Sequence, residues 1–186
     1  MIKRMLDKLK AKRASRTWEG KNRYLREKGA IIGEGTRLNC SISSFGTEPY
    51  LITVGKNCLF ADGVRFITHD GGVMVLKNLG YFDKSTDKLG TITIGNNVYV
   101  GMGAIIMPSV RIGDNVIIGA QSVVTRDVPD NCVAAGIPAH VIESITTYAE
   151  HAKQKNVLYP TAGLNREEKY QYLKEHHPEI LSKGEK

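Results

Sequence analysis

β-Branched side chains recur at every sixth position from Ile94 to Val124. The first series comprises Ile94, Val100, Ile106, Ile112, Ile118 and Val124. A second series of small or β-branched side chains lies four positions later: Val98, Ala104, Val110, Val116, Ser122 and Val128. A six-residue period matches neither an α-helix, which repeats about every 3.6 residues, nor a coiled coil, which repeats about every 3.5.

This period indicates a parallel β-helix. A short strand and a corner form one side of a prism, and three sides, or about eighteen residues, complete one coil. We therefore expect the first residue of each hexapeptide to point inward and to stack on its equivalents in neighbouring coils. The pattern is weaker earlier in the chain, in Ile32-Gly33, Val54-Gly55 and Phe60 to Val64. A β-sandwich with a coincidental spacing is the alternative, and six consecutive repeats argue against it.

The repeat is interrupted at two places. Residues 41–50 break the first coils, and residues 71–90 leave the pattern altogether, which predicts a loop that projects from the prism. A loop of that length inside a regular solenoid is typically functional, because it adds nothing to the scaffold. The period stops after Val141, and residues 144–156 and 164–176 are predicted to form short helices.

Positive charge is concentrated at the N-terminus. The formal charge is +7, but residues 1–28 hold eleven Lys or Arg against three acids, so the remainder of the chain is near −1. Ile2, Met5, Leu6 and Leu9 lie at helical spacing, which predicts a helix that continues to about Lys28.

These features divide the chain into three parts. We predict a basic helical arm or cap over residues 1–29, a β-helix domain with an all-β core over residues 30–142, and a helical tail over residues 143–186.

The basic arm has two candidate roles. Its apolar stripe could pack on the open end of the prism as a cap, which a solenoid requires. Alternatively, residues 1–28 could form an interfacial helix that contacts a membrane. A nucleic-acid-binding role is not expected, because only Trp18 and Tyr24 are interleaved with the cations.

Cysteine usage points to a reducing compartment. Cys40, Cys58 and Cys132 are far apart and form no CxxC pair, which predicts reduced core thiols. No apolar run reaches the roughly 18 residues needed to span a bilayer, and the charged N-terminus is unlike a secretory signal. We expect a cytoplasmic protein, at the inner face of the membrane if the arm binds lipid.

Three stretches resemble the hexapeptide-repeat acetyltransferases, a family that includes maltose, galactoside and antibiotic acetyltransferases. They are FADGVRFITHDGG at 60–72, the repeats at 94–131 and AAGIPAHVI at 134–142. More loosely, SFGTEPYLITVG followed by FITHDGG resembles acetyltransferases from bacterial capsule and O-antigen clusters. The resemblance implies a left-handed parallel β-helix and a homotrimer, with active sites in the clefts between neighbouring prisms.

His69 is the expected catalytic base. It is the only histidine within the repeats, and it precedes the 71–90 loop, which places it at a cleft. Acetyl transfer from a thioester to a hydroxyl needs a base that removes the hydroxyl proton during attack, and neutral imidazole suits this role. Glu48, Asp70 and Asp62 are the candidates for the acid that orients it, with Glu48 slightly favoured.

Acetyl-CoA is the co-substrate that the resemblance implies, bound along the prism. The expected binding residues are Tyr99, Gly101, Met102, Ala120, Gln121, Thr125, Arg126 and His140. Thr125 and Arg126 would meet the nucleotide phosphates, for which a fixed cation is an apt partner. Met102 departs from the small polar residue usual in the family, and His140 replaces the usual Lys or Arg.

The sequence therefore predicts an acetyl-CoA-dependent O-acetyltransferase that acts on a sugar hydroxyl in cell-surface polysaccharide synthesis. The attack is expected to be direct, because no activated serine or cysteine motif is evident, and to need no metal, because CoA is a good leaving group as a thiolate. A zinc-dependent enzyme on this fold would need three histidine ligands around a cleft, where His69 stands alone. The alternatives are N-acetylation of a nucleotide-linked amino sugar and O-acetylation of a small molecule such as serine or an antibiotic. A non-catalytic binding or assembly module is the alternative from another class.

Overall fold

A computed structural model describes residues 2–182, with side chains from Met5 onward. The chain forms two compact units that divide after Tyr148. The helices are α1 (Ile2–Ala14), α2 (Trp18–Glu27), α3 (Val73–Asn78), α4 (Ile145–Gln154), α5 (Arg166–His176) and α6 (Pro178–Leu181). Of the helices in the described residues, none is both long and apolar enough to cross a bilayer.

Short strands run through the first unit. They are β1 (Ile31–Ile32), β2 (Arg37–Leu38), β3 (Ile52–Val54), β4 (Leu59–Phe60), β5 (Arg65–Phe66), β6 (Ile92–Ile94), β7 (Tyr99–Val100), β8 (Ile105–Ile106), β9 (Arg111–Ile112), β10 (Ile117–Ile118), β11 (Val123–Val124), β12 (Cys132–Gly136) and β13 (Ala139–Ser144). Two 3-10 turns, Ile42–Phe45 and Pro49–Leu51, occupy the first interruption of the repeat.

Three sheets form the three sides of a prism. Their strand orders are β1-β3-β6-β9, β2-β4-β7-β10-β12-β13 and β5-β8-β11, so from β1 to β12 consecutive strands of the chain lie in different sheets. Tyr99 pairs in parallel with Ile117, and Ile105 pairs in parallel with Val123. Each pair is eighteen residues apart, which confirms the coil length expected from the hexapeptide period.

The core contains the first series, which the period predicted to point inward, and also the second series, for which no inward orientation was predicted. Both series between Ile94 and Val128 are at most 6% exposed. Cys40, Cys58 and Cys132 are buried free thiols, as expected, and burial raises the pKa of the Cys40 thiol to about 11. Because inward side chains of successive coils stack on one another, each coil depends on its neighbours for burial.

Asparagines form a ladder along one corner of the prism. Asn97, Asn115 and Asn131 all have a positive φ of 55° to 58°, a conformation that asparagine tolerates better than most residues. The Asn97 side-chain Nδ2 atom donates to the Asn115 side-chain Oδ1 atom at 2.8 Å. Asn115 Nδ2 donates in the same way to Asn131 Oδ1 at 2.9 Å. The same side chains therefore make the turn and join successive coils.

The N-terminal arm is two helices, so the prediction of one helix to about Lys28 was wrong. The Thr17 hydroxyl accepts a hydrogen bond from the Gly20 amide and starts α2 there. Such a cap satisfies an amide that the first turn of a helix leaves without a partner. The sequence prediction did not weigh this capping signal.

Helix α2 packs on the first coil. Leu25 is buried in the core, and the Asn22 side chain donates to the Thr36 carbonyl at 2.7 Å. Lys21 donates to the carbonyls of Leu38 and Cys40, both at 2.9 Å. The first coil of a solenoid has no neighbouring coil on its outer side, so backbone carbonyls there would lack hydrogen-bond partners. The side chains of α2 supply those partners.

The C-terminal segments follow the sequence prediction in part. The helices expected at 144–156 and 164–176 are present as α4 and α5, and Asn165 with Glu168 forms a capping box at the start of α5. The expected loop at 71–90 contains the short helix α3. Strands β12 and β13 form an antiparallel hairpin that the repeat did not predict.

Stacking of inward side chains can be tested within one strand. Ile32 of β1 is 5% exposed and Ile31 is 63% exposed. We expect Ile32→Ala to lower the free energy of unfolding by about 2–5 kcal/mol, because it leaves a cavity in the stack. The matched control Ile31→Ala should change it by less than about 0.5 kcal/mol in the same denaturant titration. Equal losses in the two variants would contradict the inward assignment.

Candidate active site

His69 lies where the long loop leaves the prism. It follows β5 in the third sheet, and it pairs with Leu89 through an isolated antiparallel bridge. The Asp70 amide donates to the Lys88 carbonyl at 2.9 Å, and the Gly90 amide donates to the Thr68 carbonyl at 2.8 Å. The loop therefore leaves and rejoins the coil at one point, which fixes the backbone of His69 although its side chain is half exposed.

The carboxylate of Glu48 contacts His69. Glu48 lies between the two 3-10 turns, and its Oε2 atom is 3.0 Å from His69 Nδ1. The Thr68 hydroxyl donates to the same oxygen at 2.8 Å, and the Thr47 hydroxyl donates to Oε1 at 2.5 Å. Two hydroxyls and one imidazole thus hold a carboxylate whose side chain is only 18% exposed.

These hydrogen bonds determine the charge of Glu48. The hydroxyl of Thr47, then that of Thr68, and also His69 hold the pKa of the Glu48 carboxyl below its usual value. Glu48 is therefore ionised at neutral pH and can only accept hydrogen bonds. A neutral His69 must then carry its proton on Nδ1, which leaves Nε2 as an unprotonated acceptor.

Asp70 and Asp62 are placed differently. The Asp70 carboxylate pairs with Lys88 Nζ at 2.7 Å and accepts from the Gly72 amide at 2.8 Å. Lys88 lowers the pKa of Asp70 most, and the bond from Gly72 adds to this effect. Asp62 lies at an exposed corner, where its carbonyl accepts from the Gly103 amide. Of the three candidate acids, Glu48 is the one that the structure brings to His69, while Asp70 holds the base of the loop.

One edge of the prism, between the second and third sheets, carries four of the expected acetyl-CoA residues: Gly101, Met102, Ala120 and Gln121. We call it the Gly101 edge. Met102 and Ala120 occupy equivalent corners of successive coils, and the Gln121 amide donates to the Met102 carbonyl at 2.8 Å. A Cβ atom on Gly101 would lie 2.5 Å from the Ala120 nitrogen, so the two corners approach closely there. Met102, Ala120 and Gln121 are exposed, which leaves this edge accessible.

Thr125 and Arg126 lie on a different edge. They follow β11 in the third sheet, whose strands stack in the order β5, β8, β11, so they share the edge of His69 two coils away. Both are exposed. The expected base and the expected phosphate contacts therefore border one side of the third sheet, and the Gly101 edge borders the other.

Tyr99 and His140 complete the expected binding set. Tyr99 is exposed on the second sheet, beside Leu59 and Ile117 in the neighbouring strands. His140 lies in the terminal hairpin, opposite Ala135 of β12, with its Nδ1 atom 3.4 Å from the Pro138 carbonyl. Neither residue is on the edge that carries His69.

Sequence reasoning missed the two threonines that hold Glu48. Thr47 and Thr68 each stand next to a candidate residue, which was the available signal. The hexapeptide period gave no reason to bring them together, because Thr47 belongs to an interruption. Among residues 2–182, no three His, Cys, Asp or Glu side chains are grouped so that they could hold a metal ion.

A histidine that contacts an ionised carboxylate can serve as a general base, and here such a pair lies at one edge of a solenoid of eighteen-residue coils. Comparison with known proteins identifies the family. Residues 91–126 match the bacterial transferase hexapeptide family, described as six repeats. Protein CapG of Staphylococcus aureus is 45% identical over 150 residues, which cover 80% of this chain and 84% of that protein.

Two further proteins carry an acetyltransferase name. The galactoside O-acetyltransferase of Escherichia coli strain K12 is 41% identical over 125 residues, 66% of this chain, and the chain spans 59% of that protein's length. The solved structure of a galactoside acetyltransferase in complex with coenzyme A matches with a TM-score of 0.53 at 27% identity. That match covers 80% of this chain and 83% of the other.

The chain belongs to the hexapeptide-repeat acetyltransferases. This confirms the resemblance that the sequence motifs indicated and the left-handed parallel β-helix that it implied. The protein is accordingly an acyltransferase, with acetyl-CoA as the acetyl donor.

The charge of Glu48 predicts a pH-dependent contribution to stability. Its pKa in the folded protein lies below the ordinary value of 4.5, so its contribution is fully present above about pH 4.5. That contribution is lost as the pH falls through the folded-state pKa. The melting temperature of Glu48→Gln should therefore be below wild type at neutral pH, and the gap should narrow in acid. The matched control is Glu34→Gln, which removes the charge of an exposed acid in the first coil. A gap that stays constant into acid would contradict this assignment.

Proposed function

We propose that this enzyme transfers an acetyl group from acetyl-CoA to a hydroxyl of a sugar, in the synthesis of a bacterial cell-surface polysaccharide. The contact between His69 and the ionised Glu48 carries the proposal, because it leaves Nε2 free to accept a proton at an exposed edge. The names of the galactoside acetyltransferases support a sugar acceptor. The similarity to CapG and the SFGTEPYLITVG segment support the polysaccharide role.

The proposed reaction is a direct acyl transfer. His69 Nε2 takes the proton of the acceptor hydroxyl while that oxygen attacks the acetyl carbonyl carbon. Glu48 stabilises the imidazolium that forms, as a carboxylate partner does in other general-base sites. The carbon–sulfur bond then breaks, the CoA sulfur leaves, and the proton on His69 neutralises the thiolate. A backbone amide at a coil corner would stabilise the intermediate oxyanion.

Binding of acetyl-CoA is proposed for the residues that the family resemblance named. Gly101, Met102, Ala120 and Gln121 present small or exposed groups along one edge, where the extended pantetheine arm could lie against the backbone. Arg126 presents a fixed cation for the phosphates. His140 and Tyr99 stay proposed contacts, at the terminal hairpin and on the second sheet.

A homotrimer would explain why the proposed site is divided between two edges. His69 and the Gly101 edge border opposite sides of the third sheet within one chain. If the cleft forms between neighbouring prisms, the His69 edge of one copy meets the Gly101 edge of the next. Each heterologous interface of a closed ring would then hold one complete site.

His69→Ala should lower kcat by a factor of about 10²–10⁴, because the general base is lost while acetyl-CoA binding is kept. The measurement is acetyl-CoA-dependent thiol release with a panel of mono- and oligosaccharides, nucleotide-linked amino sugars, serine and antibiotics. His176→Ala, in α5 of the second unit, is the matched control and should keep wild-type turnover.

The outcomes of this assay separate the alternatives. Unchanged turnover in His69→Ala would remove His69 as the base. Turnover only with an amino group or a small molecule would replace the sugar hydroxyl as acceptor. If the wild type fails to bind coenzyme A, a binding or assembly module becomes the better description.

Mixed oligomers test whether two copies build one site. Ala120→Trp should block the exposed Gly101 edge, and His69→Ala removes the base, so each homo-oligomer should be inactive. Refolding the two variants together should restore activity, because some clefts then pair an intact His69 edge with an intact Gly101 edge. As the control, each variant is refolded alone, with an equal volume of buffer in place of the other variant. If the mixtures assemble but recover no activity, both edges of each site belong to the same copy.

A further inference from the structure

Helix α1 exposes an apolar surface. Met5, Leu6 and Leu9 are 59%, 52% and 56% exposed, and together they form the apolar stripe of α1. The side chain of Ile2, which the sequence pattern places with them, lies outside the described residues. Leu6 and Leu9 are adjacent on the helix surface, as positions three apart are, and Met5 is four positions before Leu9.

The contacts of α1 with α2 turn this stripe away from the protein. Asp7 Oδ1 pairs with Lys28 Nζ at 2.7 Å, and the Tyr24 hydroxyl donates to Asp7 Oδ2 at 3.3 Å. From Met5 to Ala14, the partly covered side chains are Asp7, Ala11 and Ala14, and their spacing of four and three places them on one side of the helix. The apolar stripe is on the opposite side.

The prism does not use the apolar stripe as a cover. Leu25 of α2 supplies the buried apolar side chain at the first coil. The side chains of Lys21 and Asn22 donate hydrogen bonds to backbone carbonyls of that coil. The expectation that the stripe packs on the open end of the prism is therefore replaced by packing of α2 there.

Cations border the stripe on both sides. Lys8 and Lys12 lie along one flank of the helix and Lys10 along the other, and all three are exposed. From Met5 to Ala14 the one acid is Asp7, which faces α2 and is paired with Lys28. The exposed side of α1 therefore combines apolar and positively charged groups.

We propose that α1 binds the surface of an anionic lipid bilayer. Met5, Leu6 and Leu9 would enter the boundary between headgroups and acyl chains, and the flanking lysines would contact lipid phosphates. A bilayer is favoured over a protein groove because exposed cations lie on both flanks of the stripe, which suits a uniformly anionic surface. The inference does not depend on the acceptor or on the catalytic role of His69.

The test is co-sedimentation of the full chain with vesicles of phosphatidylglycerol in phosphatidylcholine, compared with vesicles of phosphatidylcholine alone. Wild type should bind the anionic vesicles preferentially, and added salt should weaken the binding. Lys8→Glu/Lys12→Glu should weaken it by a factor of about 100, since each reversed cation loses attraction and gains repulsion. Leu6→Ser/Leu9→Ser should weaken it by about tenfold or more.

Matched changes in the second unit serve as controls. Lys169→Glu/Lys174→Glu reverses two exposed cations of α5, and Val157→Ser/Leu158→Ser replaces two exposed apolar residues. Both variants should bind vesicles as wild type does. Every variant should retain thiol release in solution, which shows that it is folded.

Three results would overturn the proposal. The first is no binding of wild type to anionic vesicles at low salt. The second is binding that the lysine variant loses but the Leu6→Ser/Leu9→Ser variant keeps, which would indicate a general polyanion contact without insertion. The third is a lower molecular mass of Leu6→Ser/Leu9→Ser in solution, which would make the stripe an interface between copies.

Discussion

Stacking of inward side chains between coils eighteen residues apart sets the geometry of this molecule. Val100 of one coil stacks on Ile118 of the next, and both are completely buried. A one-residue slip would turn these side chains outward, because successive side chains of a strand point to opposite faces. The register is therefore strongly constrained, and extra residues must leave and rejoin the coil at a corner.

The site is built from two such insertions. Ile31 pairs with Thr53, twenty-two residues away, and Thr53 pairs with Thr93, forty residues away, whereas Thr93 pairs with Arg111 after the regular eighteen. The first insertion holds Glu48, and the second begins at His69. Since the surrounding coils keep their register, the two insertions come together reproducibly at neighbouring coils. The repeat therefore positions the proposed catalytic pair, although neither side chain comes from a regular position of the hexapeptide pattern.

The amino-acid sequence predicted the regular part of the fold well. The first series, from Ile94 to Val124, was predicted to point inward and is buried throughout, because a solenoid repeats one local pattern and each coil contacts only its neighbours. Where contacts left that pattern, prediction was weaker. The break at Thr17 depends on one capping hydroxyl, and the β12–β13 hairpin has no repeat to reveal it. The choice of Glu48 over Asp70 depends on how an insertion folds back across twenty-one residues.

The proposed chemistry requires that an ionised Glu48 fixes the tautomer of His69 and leaves Nε2 to accept the proton. Nitrogen-15 NMR of the full chain at neutral pH, with the His69 signals assigned by their loss in His69→Ala, measures this directly. We predict that neutral His69 carries its proton on Nδ1 and that Glu48→Gln disturbs this preference. A proton on Nε2 of the neutral wild-type imidazole would contradict it, since that nitrogen could not then act as the base.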